Sequence, residues 1–233
     1  MVVPTPDPAA HQPSEGESVS RDRHAKLADY AIAASFASWS VGAALALGEG
    51  DAPPWPVRCA AACVHAVAAW LFVVRTPAIE TAPWRSLLVA APSLLSSGLA
   101  FRLGAARLEG VTLVLFVLGA AGTCFSLLTL GRSFAIFVAR RELVARGPYA
   151  LVRHPAYACE LVMIVATTIA GGSLDVDERV LGVPRGIAAL AIASMALVTI
   201  VLRAREEERF LAGDAAYAAY AKRVRARLVP FVW

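Results

Sequence analysis

The chain has 233 residues, 58% hydrophobic and 17% charged, with a net charge of +4 and a mean hydropathy of +0.60. Soluble domains run about 45–50% apolar and about 25% charged, and here the excess sits in long blocks almost free of charge, which excludes a soluble core and points to bilayer spans. A pI near 9.1 does not indicate a nucleic-acid partner, because no basic and aromatic face is present and Lys and Arg cluster in the loops instead.

Met1 to about Ser20 is rich in Pro, Ser, Glu and Ala, with no basic stretch leading into an apolar core. It reads as a disordered tail, extending to residue 24, and not as a secretory signal. A first apolar block follows from about Leu27 to Leu47, then an extended link through Pro53, Pro54 and Pro56. The second block runs from about Val57 to Val74, and the third from about Ser86 to Leu103 with Pro92 inside it. The fourth, Val111 to Leu130, is about 20 uncharged residues, the cleanest span of the set. A basic loop from Gly131 to His154 precedes the fifth block, Pro155 to about Ser173, which carries one charge, Glu160. An acidic loop with Asp175, Asp177 and Glu178 leads to the sixth block, Gly186 to Leu202, and to a polar, helix-prone tail.

These blocks predict an all-α polytopic membrane protein of about five to six transmembrane helices, with a cytoplasmic C-terminal catalytic segment. Residues 25–130 form the N-terminal transmembrane helices, and 131–233 the segment that carries the chemistry. With an even number of spans, seventeen basic residues fall on the side of the termini and five on the other. That bias places both termini in the cytoplasm, and the Ala- and Arg-rich composition suggests a bacterial inner membrane. Cys59, Cys63, Cys124 and Cys159 contain no C-x-x-C pair and read as reduced, small, buried residues. The four His are not spaced with them, so no metal site is expected.

Two polar segments stand out, both on the predicted cytoplasmic side. In the first, Arg141 to Tyr157, Gly147-Pro148 marks a turn and Pro155 suits the first turn of the fifth helix. His154 then precedes a helix N-terminus, where free N–H groups and the helix dipole favour a carboxylate. Tyr149 and Tyr157 flank it. In the second segment, Arg203 and Glu207 stand at i and i+4, on one face if the sixth helix continues. Tyr217 and Tyr220 follow. Glu160 is an ionisable group inside a span, a functional suspect on that ground alone.

In order, G-P-Y-x-x-V-R-H-P-x-Y, two spans, R-x-x-x-E-E-x-x-L and a Y-x-x-Y tail resemble the isoprenylcysteine carboxyl methyltransferase family, and with it the membrane phospholipid methyltransferases. The resemblance covers about Leu130 to Trp233. It implies an S-adenosylmethionine-dependent methyltransferase acting on a lipophilic acceptor. By the same resemblance Arg141, Glu142, Leu143 and Val144 contact the cofactor, partly through backbone, as do Tyr149, His154, Pro155, Ala156 and Tyr157. Glu207 matches a carboxylate on the cofactor side, and Arg203 the arginine that handles the acceptor. The family often has His at the place of Arg141 and usually Gly at that of Cys159.

The chemistry suits those roles. A sulfonium favours aromatic faces and a nearby carboxylate, here Tyr149, Tyr157 and Glu207. The cofactor's own carboxylate favours His154 and helix-terminal N–H groups. A carboxylate acceptor needs only a cation to hold it, for which Arg203 is suited, whereas an amine or thiol must lose a proton. The expected reaction is methyl transfer to a lipophilic carboxylate. The alternatives are an amine headgroup or small thiol as acceptor, a non-catalytic membrane scaffold, or a nicotinamide-dependent membrane reductase.

Overall fold

The computed structural model describes residues 15–45, 52–83, 86–172 and 178–230, with the backbone alone for 15–24, 87 and 90. The described residues form seven α-helices: α1 (Glu15–Leu45), α2 (Trp55–Val74), α3 (Leu87–Gly104), α4 (Gly110–Leu130), α5 (Pro155–Gly171), α6 (Arg185–Leu211) and α7 (Ala215–Arg223). Two short antiparallel pairs complete it, β1 (Glu80–Thr81) with β2 (Ala139–Arg140), and β3 (Arg179–Val180) with β4 (Val183–Pro184). The protein is all-α and polytopic, as its composition predicts. By length and composition α2, α4 with its following turn, and α6 can each cross a membrane, and α5 is a shorter apolar helix. Exposed Val111, Leu118 and Phe125 on α4, and Ile187, Leu190 and Val198 on α6, turn apolar stripes outward, which suits a lipid solvent.

Two expectations need correction. The stretch read as a tail to residue 24 is helical from Glu15, where α1 begins. Residues 1–14 of that tail, like 173–177 and 231–233 further on, lie outside the described residues. The cysteines are not all buried either. Cys59 and Cys63 are exposed on α2, an orientation that an apolar thiol tolerates when the surrounding medium is lipid, while Cys124 and Cys159 are half-buried.

Small residues bring α3, α4 and α5 close together. A Cβ on Gly104 would stand 1.9 Å from the Thr167 carbonyl oxygen, so α3 reaches α5 only because Gly104 has no side chain. On α4, a Cβ on Gly122 would lie 2.6 Å from the Cys159 sulfur. The Cys159 thiol is therefore received by a glycine of the neighbouring helix. Four apolar clusters lie among the described residues, one of them Ala100, Ile164, Ala196 and Ile200 between α3, α5 and α6. Since α3 and α4 pack directly on α5 and α6, the helices do not separate at residue 130 into two bodies.

The helix ends that carry the site are tied by backbone bonds. Thr76 N–H donates to the Arg132 carbonyl, and Ile79 N–H to that of Arg140. Further on, Arg153 N–H donates to the Ala226 carbonyl and His154 N–H to that of Arg227. The polar loop after α4, the start of α5 and the residues after α7 thus meet at one end of the bundle.

Candidate functional site

Pro155 opens α5, and His154 stands at its N-cap with φ −127° and no side-chain bond to the helix. The N–H groups of Ala156 and Tyr157 in the first turn therefore lack a capping side chain. His154 is buried at 7% exposure. Its ring does not point to open space: Nε2 lies 3.2 Å from Glu208 Oε1, and Nδ1 3.8 Å from Glu207 Oε2. It also stacks on the Tyr157 ring, with centroids 5.4 Å apart and planes 5° apart.

From the other wall, α6 continues unbroken past its apolar part, so Arg203 and Glu207 do share a face. Tyr157 Oη donates to Glu207 Oε2 at 3.0 Å. The Arg203 guanidinium lies 4.9 Å over the Tyr157 ring, a cation–π contact deep in the bundle. Arg203 is 5% exposed, donates through Nη2 to the Ile136 carbonyl, and its Nε has no partner. Glu207 and Glu160 are the carboxylates that act on its charge. Glu160 itself accepts from Ser97 Oγ of α3 at 2.6 Å.

Glu208 is a residue that sequence reasoning missed. Its side chain, 11% exposed, receives Arg153 Nη1 at 2.8 Å, Arg227 Nε at 2.8 Å and the His154 ring. One carboxylate thereby links the loop before α5, the end of α6 and the segment after α7. Within the run Glu206-Glu207-Glu208 only the i, i+4 spacing to Arg203 was visible, and that selects Glu207. Partners 19 and 54 residues away leave no local signal.

Tyr149 lies in the turn after Gly147, whose φ of +56° glycine adopts without strain. Its side chain is buried, and its carbonyl accepts from Tyr220 Oη at 2.8 Å. Burial pushes the Tyr220 phenol up to about 12, so it keeps the proton that it donates. Tyr217 packs beside Tyr220 with centroids 5.9 Å apart, and the Arg153 guanidinium lies close to its buried Oη. These tyrosines are interior supports of the site.

The structure therefore brings together Tyr149, His154, Pro155, Ala156, Tyr157, Arg203 and Glu207. Glu142 and Leu143 are exposed on the neighbouring strand of chain and Val144 is half-buried. Arg141 turns elsewhere, into a cavity with Arg75, Thr81 and Ser86. Among the described residues no group of three or more His, Cys, Asp or Glu is placed to hold a metal ion.

A helical membrane protein with a polar, carboxylate-bearing cluster at one end of its bundle is the class that fold and site define. Residues 112–213, from α4 through α6, match the model of the isoprenylcysteine carboxyl methyltransferase (ICMT) family. Members of that family are membrane methyltransferases that use S-adenosylmethionine as methyl donor. The chain is also 37% identical over 130 residues to the cobalt-zinc-cadmium resistance protein CzcN of Cupriavidus metallidurans, covering 53% of this chain and 54% of that protein. It thus spans about half the length of this curated relative.

Proposed function

We propose that the protein is an integral membrane methyltransferase that transfers a methyl group from S-adenosylmethionine to a lipophilic acceptor, a carboxylate first of all. The observation that carries this reading is the meeting of Tyr157, Arg203 and Glu207 at the uncapped start of α5. The residues fit the cofactor's chemistry. Ala156 and Tyr157 offer first-turn N–H groups to its carboxylate. Glu207 keeps one oxygen clear of any partner among the described residues and is one-third exposed, so it can face the sulfonium. Tyr149 and the backbone of the 141–144 stretch, exposed at Glu142 and Leu143, complete the binding set. The cofactor, when bound, supplies the activated methyl group.

The chain's own residues divide the remaining work. His154 is engaged with Glu207 and Glu208, so its role is to position Glu207 and the α5 N-terminus rather than to grip the cofactor. The Tyr157 ring is likewise taken up by His154 and Arg203. Its hydroxyl orients Glu207. Arg203, with an unpartnered buried Nε, holds the acceptor carboxylate. Below it the apolar cluster of Ala100, Ile164, Ala196 and Ile200 leads toward the lipid, the side from which a greasy acceptor would arrive. The face bearing the site is proposed to be cytoplasmic, in a bacterial inner membrane, because basic residues gather on it.

One observation favours a second acceptor class. Glu160 stands a turn below Tyr157 with Ser97 bonded to it, a carboxylate able to take a proton from an amine or thiol. The two readings share the cofactor and differ in Glu160, which a carboxylate acceptor does not need.

Calorimetric titration of S-adenosylmethionine and S-adenosylhomocysteine into detergent-purified protein tests the core of the proposal. Wild type is expected to bind both, Glu207→Ala to lose binding, and His154→Ala to weaken it. A well-folded wild type that binds neither would remove the methyltransferase reading.

A further inference from the structure

The Arg141 side chain takes no part in the network around Glu207 and Glu208. It lines a cavity of about 200 Å³ whose walls are the end of α2, the β1–β2 pair and the start of α3. Arg75, Thr81, Ser86 and Phe137 share the lining. The Nε and Nη1 atoms of Arg141 are buried and have no hydrogen-bond partner. An arginine does not escape such a position by deprotonating. Among the described residues it is a cation without an anion of its own.

The surrounding charges do not supply one. Asp29 of α1, the nearby carboxylate, is already bound side-on by Arg75, which also stacks at 4.3 Å over the Phe72 ring. Lys26 donates to the carbonyls of Val73 and Arg75 at 3.3 and 3.2 Å, so a third cation stands at the same helix end. On the far side of β2, Arg140 takes up both Glu80 and Asp214. Among the described residues, three cations therefore face one carboxylate that is already bound. Burial and the charge of Arg75 both press against the Arg141 cation, and Asp29 relieves that only in part. A cavity lined by such a group, with hydroxyl residues in its wall, has the chemistry of an oxyanion site.

We infer that this cavity binds a phosphate-class oxyanion, either the headgroup of an anionic lipid or free phosphate, and that Arg141 is its principal ligand. The cavity lies at the end of the bundle where α2 leaves the apolar zone and α3 enters it, the depth at which headgroups sit. The site is separate from the cofactor pocket and does not rest on the methyltransferase reading.

Native mass spectrometry of wild type and Arg141→Gln, each reconstituted with equimolar phosphatidylglycerol and phosphatidylcholine, provides the test. Wild type should retain phosphatidylglycerol in preference to phosphatidylcholine. Arg141→Gln should retain on the order of tenfold less, the scale of one lost charge-assisted contact, and Arg141→Lys should recover part of it. Titration of the same proteins with inorganic phosphate, followed by phosphorus NMR, separates the sources. Phosphate binding lost in Arg141→Gln without any lipid preference means a free anion, and lipid preference without phosphate binding means a headgroup. Either outcome supports the site. Wild type and variant alike in both measurements would overturn it. Should Arg141→Gln not fold, wild type alone decides, because no lipid preference and no phosphate binding overturns the inference equally.

Discussion

The α1–α2 pair and the α5–α6 pair are held by different kinds of contact. Between α1 and α2 the cross-helix contacts are largely rings and alkyl groups: Phe36 stacks on Phe72 at 5.8 Å, and Ala33 is buried with Leu71 and Phe72. Polar contacts there mostly run to backbone or sit at the ends, as with Ser40 on the Ala62 carbonyl and Arg75 on Asp29. Between α5 and α6 the upper turns meet through Tyr157, His154, Arg203, Glu207 and Glu208, with alkyl packing only below. Ring and alkyl contacts tolerate repacking. A polar network in a low-dielectric bundle does not, because each member left unpaired is costly. Stability is spread through the first pair and concentrated in the second, and concentration of that kind marks the end of the bundle where chemistry is placed.

The comparison can be broken most directly at Glu208. Glu208→Ala removes the carboxylate from Arg153 and the His154 ring, and breaking a buried pair of this kind costs about 3–5 kcal/mol. Thermal unfolding in detergent should show that loss, together with weakened cofactor binding. An unchanged melt would mean that the network is ornamental. Gly104→Ala should come next, because the new Cβ would meet the Thr167 backbone at 1.9 Å and α3 would have to move off α5. Overpacking of this sort costs about 1–3 kcal/mol, and the same melting experiment reads it. The smallest effect is expected at Phe36→Ala, a ring contact of about 1 kcal/mol. Calorimetry should find its cofactor affinity within about twofold of wild type, well below the tenfold that 1.4 kcal/mol represents. A larger drop would join the two pairs into one functional unit.

Much of this was legible in the residues. The apolar blocks locate six helices to within a few residues, except at Glu15 and at the end of α6, which runs on as a polar helix from Leu202 to Leu211, because desolvation selects only the apolar part. Pro155 announces the start of α5, and the i, i+4 spacing of Arg203 and Glu207 places them on one face. What could not be read depends on pairing across the chain. Ser97 looks like any small residue of an apolar helix until α3 is seen against Glu160. Glu208 is indistinguishable from Glu206 until Arg153 and Arg227 arrive. The direction of Arg141 is set by β1, a strand of two residues. Resemblance to a family orders such residues along the chain, but their partners are settled in three dimensions.

The bonds from Arg153 and His154 to the carbonyls of Ala226 and Arg227 carry a consequence for biosynthesis. Arg153 and Arg225, also joined by a side-chain bond, are 72 positions apart. As the chain leaves the ribosome, α1 to α6 are all made before the segment that fastens the start of α5. The loop at 153–154 must therefore wait, with His154 and Glu208 already in place and Arg227 still to come. Completion of the site therefore follows synthesis of the 225–227 segment and is not a by-product of the insertion of α5 and α6.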